Sequence, residues 1–158
     1  MLRLFRKRTP PTDLLTSRLY NERDFYPAFI RDLHRCTNEV LIESPFITSS
    51  RMRMLLPELR RLRRRGLRVT VNTRDPMTHC PPFDMQAQDA VGSMQQMGIR
   101  VLYTGGHHRK LVVIDRRVLY EGSLNVLSQN NSCEVMRRIE SEELAKEMVG
   151  FVGLGKFC

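Results

Sequence analysis

Helix-like and strand-like hydrophobic patterns alternate over much of this chain of 158 residues, and no other sequence feature constrains its fold as strongly. Steps of three and four residues between apolar positions predict helices, and short apolar runs bounded by turn residues predict strands. Helices and strands in alternation favour an α/β fold, with a mixed, mostly parallel sheet flanked by helices on both faces. The alternating segments are helix 24–36, strand 40–42, helix 51–65, strand 67–71, helix 84–97 and strand 99–103.

The pattern changes beyond residue 103, where two apolar runs joined by Arg116 and Arg117 predict a β-hairpin. Residues 135–139 predict a further strand, and Ser141 is positioned to cap a last helix. Residues 1–18 form a basic N-terminal arm, either a tether or a phosphate-contacting tail, and residues 19–158 form one domain.

The charge balance favours a polyanionic partner. The chain has 26 lysines and arginines against 17 acidic residues, a net charge of +9, which suits nucleic acid or an anionic surface. The alternative is a basic surface that binds no particular partner. The predicted helix 51–65 is rich in arginine, which favours either sequence-blind phosphate binding or simply a solvated helix face. The arginines proposed for nucleic-acid contact are Arg51, Arg53, Arg60, Arg61 and Arg64.

The four cysteines are scattered, without the spacing of a disulfide framework or a zinc site. We therefore predict reduced thiols, no metal and no cofactor. No apolar run is long enough for a signal peptide core or a membrane span, so a cytoplasmic protein is expected by elimination.

The segment 105–134 carries the chemistry. It contains the pattern H-x-K-x4-D-x6-G-S-x-N, formed by His108, Lys110, Asp115, Gly122–Ser123 and Asn125. Alternate residues of a strand point to one face, so His108 and Lys110 are expected side by side, and the hairpin returns Ser123 and Asn125 to them. Imidazole, ammonium, hydroxyl and carboxamide around one point suit a phosphate diester, with Lys110 supplying positive charge without a metal.

This pattern resembles the signature of the phospholipase D superfamily, and single-motif bacterial nucleases of that family are similar in length and layout. The resemblance implies a phospholipase D-like fold and a catalytic role for His108, as the nucleophile that becomes a phosphohistidine or as the acid that protonates the leaving oxygen. Lys110 and Asn125 would bind the nonbridging oxygens, and Ser123 would support the phosphate. Asp115 and Gly122 would be structural.

The resemblance also implies an acidic residue that orients the motif histidine, and Glu134 is the candidate. A surface charge at a strand start is the simpler alternative for Glu134. The two-step reaction needs one imidazole to attack and another to donate a proton, and two close imidazoles readily share one proton. Because the chain holds a single H-x-K motif, we expect a homodimer that places His108 against its twin.

The leading functional hypothesis is a metal-independent phosphodiesterase acting on nucleic acid, DNA rather than RNA, as an endonuclease with little sequence preference. A phospholipid-cleaving enzyme of the same chemistry is the first alternative, although no membrane-docking element is evident. A nucleic-acid-binding accessory module without catalysis is the second. The complete motif argues against it, because an inactive module has no chemical need for both His108 and Lys110.

Overall fold

A computed structural model describes residues 16–128 and 131–157, so most of the expected N-terminal arm lies outside the described residues. One seven-stranded sheet forms the centre, in the strand order β1-β7-β6-β5-β2-β3-β4. The strands are β1 (Arg18–Asn21), β2 (Glu39–Glu43), β3 (Arg68–Thr73), β4 (Arg100–Tyr103), β5 (Leu111–Ile114), β6 (Val118–Gly122) and β7 (Val135–Glu140). The helices are α1 (Phe25–Arg35), α2 (Ser49–Arg64), α3 (Phe83–Gln96) and α4 (Glu142–Phe151).

The sheet is mixed, as the helix and strand pattern predicts, but less of it is parallel than expected. Parallel pairing is confined to β2, β3 and β4, whereas β5, β6, β7 and β1 pair antiparallel with their neighbours. The reason is connectivity: helical crossovers join the parallel strands, and a tight hairpin reverses the chain between β5 and β6. The short strand β1 starts at Arg18, the last residue of the predicted arm. It gains its strand conformation from pairing with β7.

Helices cover both faces of the sheet, as expected for the α/β class. On one face α1, α2 and α3 pack on inward side chains such as Val40, Val71 and Tyr120. On the other face α4 packs on Leu41, Val113 and neighbouring apolar residues. The central strand β5 is buried on both sides, and the segment that carries the H-x-K residues leads directly into it.

Two local predictions concern helix boundaries. Ser141 caps α4 as expected, since its side chain accepts a hydrogen bond from the Leu144 amide. A proline often starts or kinks a helix, but α2 begins at Ser49 and continues through Pro57. The buried positions Leu55, Leu59 and Leu62 form one apolar stripe.

Candidate active site

His108 and Lys110 lie side by side in the extended segment that enters β5. The Lys110 Nζ atom is 3.1 Å from His108 Nδ1 and also donates a hydrogen bond of 2.8 Å to the His108 carbonyl oxygen. An ammonium group only donates, so Nδ1 of a neutral His108 ring accepts and Nε2 carries the hydrogen. His108 is exposed, and an incoming substrate can therefore reach its ring.

Lys110 is linked electrostatically to Glu134, on the segment that precedes β7. Burial lowers the pKa of the Lys110 ammonium, and the nearby carboxylate of Glu134 opposes that shift. A partly desolvated ammonium interacts strongly with any anion that reaches it, because fewer waters compete. The H-x-K segment and the acidic residue predicted to serve it thus lie at one end of the hairpin.

The carboxylate of Glu134 is held by two serine hydroxyls. Ser123 donates to one of its oxygens, and Ser132 donates to the other at 2.7 Å. The Ser123 Oγ atom also accepts from the Val135 amide at 3.1 Å. Within the described residues, Glu134 therefore contacts Ser123 and Ser132 and forms no hydrogen bond with His108, so its predicted orienting role stays a prediction.

Gly122 is where β6 comes closest to β7. A Cβ atom at this position would lie 2.1 Å from the Val135 carbonyl oxygen and 2.9 Å from Met136 Cα, which is too close for any side chain. Glycine lets the ladder continue to the end of β6, where the Ser123 amide bonds to the Val135 carbonyl at 2.9 Å. The small residue of the motif thereby brings Ser123 against Glu134.

Asn125 follows on a loop that is anchored by buried apolar side chains. Leu124, Val126 and Leu127 are fully buried, and the Tyr26 hydroxyl donates to the Val126 carbonyl at 3.0 Å. The Asn125 Oδ1 atom is buried and has no hydrogen-bond partner among the described residues. Unpaired buried polar atoms are rare in folded proteins and are typical of functional sites.

Asp115, the aspartate of the motif, lies at the other end of the hairpin. It occupies the β5–β6 turn with a φ of 52° beside Arg116 with a φ of 48°, so the turn is centred one residue earlier than predicted. Its carboxylate accepts from the amides of Thr37, Asn38 and Glu39 at 2.8 to 3.0 Å. Asp115 thus fastens the connection between α1 and β2 to the hairpin, away from His108.

The hydrogen bonds of Asp115 make the stability of the protein depend on pH. Burial tends to raise the pKa of this carboxyl, but the three backbone amides outweigh it and lower the pKa below its ordinary value. The stabilisation is therefore present above about pH 4 and is lost as the pH falls through the lowered pKa. We expect Asp115→Asn to cost about 2 kcal/mol of unfolding free energy at pH 7.

Urea unfolding across pH values measures this effect. The difference in unfolding free energy between wild type and Asp115→Asn should shrink as the pH falls below about 4. Asp89→Asn, a change to an exposed carboxylate on α3, is the matched control and should be nearly neutral. A difference that stays constant with pH would contradict the assignment of the effect to the Asp115 charge.

Sequence reasoning missed an ion pair between Glu43 and Arg109 beneath the motif. Arg109 lies between His108 and Lys110, and its guanidinium binds both carboxylate oxygens of Glu43 at 2.5 and 2.8 Å. Glu43 is fully buried at the end of β2, where Asn72 donates a further hydrogen bond of 2.8 Å. The sequence signal for this ion pair was Glu43 itself, an acidic residue directly after the apolar residues 40–42.

His107 points away from His108, as the strand geometry predicts. It is 3% exposed, and its Nε2 atom lies 3.2 Å from the Asn72 carbonyl oxygen. Burial is the largest influence on the His107 imidazole and lowers its pKa; the charge of Glu43 opposes this shift, and the charge of Arg109 adds to it. Nε2 of the neutral ring therefore donates to Asn72, and His107 helps to hold the H-x-K segment from below.

The five arginines proposed for nucleic-acid contact are not gathered at the site. Arg51 lies near it, since its guanidinium stacks 3.7 Å from the ring centroid of Tyr26, which in turn contacts the Asn125 loop. Arg53 is exposed on the same first turns of α2. Arg60, Arg61 and Arg64 lie at the far end, about 15 Å along the helix axis from Arg51. The N-terminal turns of α2 are therefore the part of this helix that lies toward the Asn125 loop.

The described residues contain neither a group of metal-ligating side chains nor a membrane-spanning helix. Among residues 16–128 and 131–157, no three histidine, cysteine or acidic side chains are grouped as metal ligands. No helix in these ranges combines the length and the apolar character that a bilayer crossing requires.

Comparisons with known proteins identify the family and the fold of this chain. A family profile described as the PLD-like domain of cardiolipin synthase matches residues 29–151. Nuc from Salmonella typhimurium, a phospholipase D family member, superposes with a TM-score of 0.69 at 13% identity, covering 86% of this chain and 90% of that one. NucT from Helicobacter pylori gives a TM-score of 0.69 at 18% identity, with 86% and 92% covered.

A more distant structural match is TrmBL2, an archaeal chromatin protein whose structure shows a mode of DNA binding. It superposes with a TM-score of 0.55 at 10% identity, covering 83% of this chain and 49% of that one. No curated protein matched the sequence. The structural likenesses describe a shared fold, and the family profile spans well over half of the chain.

Proposed function

This chain belongs to the phospholipase D-like family, and we propose that it is a phosphodiesterase that hydrolyses nucleic acid without a metal ion through a phosphohistidine intermediate. The profile match and the structural neighbours confirm the expected phospholipase D-like fold. The observation that carries the proposal is the contact of 3.1 Å between Lys110 and His108 at an exposed point, where the carboxylate of Glu134, bonded to Ser123, acts on the Lys110 ammonium.

The proposed first step is attack by His108 on phosphorus. A new N–P bond forms at the imidazole while the bond from phosphorus to the leaving oxygen breaks, and that oxygen takes a proton from a second imidazole. Lys110 and Asn125 would hold the nonbridging oxygens, where negative charge increases in the transition state. In the second step water attacks phosphorus, the second imidazole accepts its proton, and the N–P bond breaks.

The contact between Lys110 and His108 has a consequence for the nucleophile. While Lys110 donates to Nδ1, the hydrogen of the neutral ring is on Nε2, which cannot attack. A bound phosphate that attracts the ammonium would free Nδ1 to carry the hydrogen, and Glu134 is the nearby carboxylate suited to accept from it. Substrate binding would thus prepare His108 for attack.

The second imidazole has no source within one subunit. The chain has four histidines. His107 lies buried beneath the motif, His34 pairs with Glu58 at 2.8 Å, and His79 lies against Phe46. A second copy of the chain that presents its own His108 would complete the site, which supports the proposed homodimer.

An exposed apolar surface beside the site suits this dimer. Leu19, Val135 and Phe151 are 62%, 47% and 84% exposed, and together with Met148 they line a groove that reaches Lys110 and Gly122. We call this the Phe151 surface. Exposed apolar surface of this size favours burial against a second subunit. Because the Phe151 surface adjoins Lys110, a two-fold dimer formed through it would bring the two H-x-K motifs together.

Substitution of Phe151 tests the dimer. Phe151→Glu is expected to shift the protein from dimer to monomer in sedimentation velocity and to lower its specific activity with it, because a charge would be buried in the interface. Met85→Glu is the matched control, since Met85 is 67% exposed on α3, on the opposite face of the sheet. A wild-type protein that is monomeric and active at assay concentration would contradict the shared site.

Nucleic acid, and DNA in particular, is the proposed substrate. The net charge of +9 supports a polyanionic substrate. The decisive experiment incubates the purified protein with plasmid, single-stranded DNA and phosphatidylcholine vesicles, each with and without EDTA. Nicking that resists EDTA supports the proposal. Choline release would instead indicate a phospholipid-cleaving enzyme, and binding without cleavage an accessory module.

A further inference from the structure

A cavity opens at the same end of the strands as the motif, between the loops that follow β2 and β3. It encloses about 560 Å³, a size ordinary for a small-molecule site, and is lined by Phe46, Phe83, Arg74, His79, Thr48 and Ser128 among others. We call it the Phe46 cavity. None of the roles proposed above uses it.

Backbone hydrogen bonds join the Phe46 cavity to the motif loop. The Ser128 amide, in the wall of the cavity, donates to the Asn125 carbonyl at 3.1 Å, and the Thr48 amide donates to the Leu127 carbonyl at 3.0 Å. The two loops begin where β2 ends at Glu43 and where β3 ends at Thr73. A group in the cavity is therefore next to the residues that would hold the phosphate.

The walls combine aromatic faces with polar groups. Phe46 and His79 have ring centroids 5.3 Å apart, and the Arg74 guanidinium lies 5.4 Å from the Phe46 centroid. Phe83 is 50% exposed. Aromatic faces and guanidinium planes are the surfaces on which unstacked bases rest in proteins that bind single strands.

His79 adds unsatisfied hydrogen-bonding capacity. Neither of its ring nitrogens has a hydrogen-bond partner of good geometry among the described residues. Burial, and then the charge of Arg74, lower the pKa of His79, while a poorly aligned contact with the Pro45 backbone opposes the shift. Near neutral pH the ring is therefore uncharged and offers one donor and one acceptor. A ligand with polar edges could satisfy both, once the imidazole turns toward the cavity.

From this arrangement we infer that the Phe46 cavity receives one unpaired base of the nucleic-acid strand, adjacent to the phosphate that His108 attacks. The inference rests on the proposed function and specifies its substrate as a single strand, or a strand locally unpaired. A base brings a flat face for Phe46 and Arg74 and polar edges for His79. An acyl chain would leave the buried ring nitrogens of His79 without partners and would gain nothing from the Arg74 guanidinium.

The test compares Arg74→Gln and Phe83→Ala with the control Met85→Ala, an exposed apolar residue on the same helix as Phe83. Substrates are an oligothymidine strand, the same strand with one abasic position, its duplex, and bis(p-nitrophenyl) phosphate. Each cavity variant should lower kcat/KM on the strand about 10-fold, a typical loss for one stacked base. Hydrolysis of bis(p-nitrophenyl) phosphate, and every activity of Met85→Ala, should stay near wild type.

Two further readouts separate this inference from the proposed function. Wild type should cut the bond beside the abasic position less than the other bonds, and both cavity variants should lose that discrimination. Strand affinity, measured by fluorescence anisotropy, should fall in both variants even if no substrate is cleaved, so failure of catalysis alone leaves the cavity testable. Unchanged strand affinity and turnover in both variants would overturn the inference, as would weakened binding of phosphatidylcholine vesicles instead of the strand.

Discussion

Replacing His108 by alanine is expected to lower the rate of phosphodiester cleavage roughly a millionfold, the scale of loss when a covalent nucleophile is removed. The exposed imidazole beside Lys110 is the group proposed to form the N–P bond, and alanine offers no substitute. The rate is measured on single-stranded DNA in the presence of EDTA. Wild-type protein quenched during turnover in alkaline denaturant, which preserves an N–P bond, should also carry covalently bound phosphate that the variant lacks.

The control for this prediction is His34→Ala. His34 is an exposed histidine that pairs with Glu58 on α2, so its loss should leave the rate within about 3-fold of wild type. His107 is unsuitable as a control, since it is buried and supports the motif from below. Retention of cleavage by His108→Ala, with folding verified by circular dichroism, would remove the basis of the proposed mechanism.

Loss of the ion pair beneath the motif should produce the largest change in stability. Arg109→Leu leaves the fully buried carboxylate of Glu43 without its cation, and an uncompensated buried charge costs about 3–5 kcal/mol. In a domain of this size we expect the midpoint of thermal unfolding to fall by about 10 °C. Activity should fall as well, because Arg109 fixes the backbone between His108 and Lys110.

Arg117→Leu provides the comparison. Arg117 pairs with Glu140 at 2.7 Å, but both side chains are well exposed, so solvent screening limits the loss to about 0–1 kcal/mol. Thermal unfolding of both variants and wild type gives the two losses side by side. Equal losses in the two variants would show that burial of Glu43 does not govern the strength of its ion pair.

The sequence predicted the helices, most strands and the hairpin because their signals are local. Apolar spacing fixes which face of α2 is buried. The two apolar runs on either side of Asp115 and Arg116 form a hairpin through their own turn, whatever surrounds them. The strand β1 escaped prediction because its four residues carry no strong pattern and become a strand only through pairing with β7. The directions of the outer strands likewise depend on neighbours that are distant in sequence.

The sequence by itself determined the spacing that sets His108 beside Lys110, because side chains two positions apart in an extended chain point to the same side. Only the tertiary structure decided what lies beneath and beside that pair. The carboxylate of Glu43 comes from 66 residues away to meet Arg109, and the Phe46 cavity forms where loops after two parallel strands meet. Such contacts depend on how the sheet is assembled, which no local pattern encodes, whereas the motif depends only on the geometry of one strand.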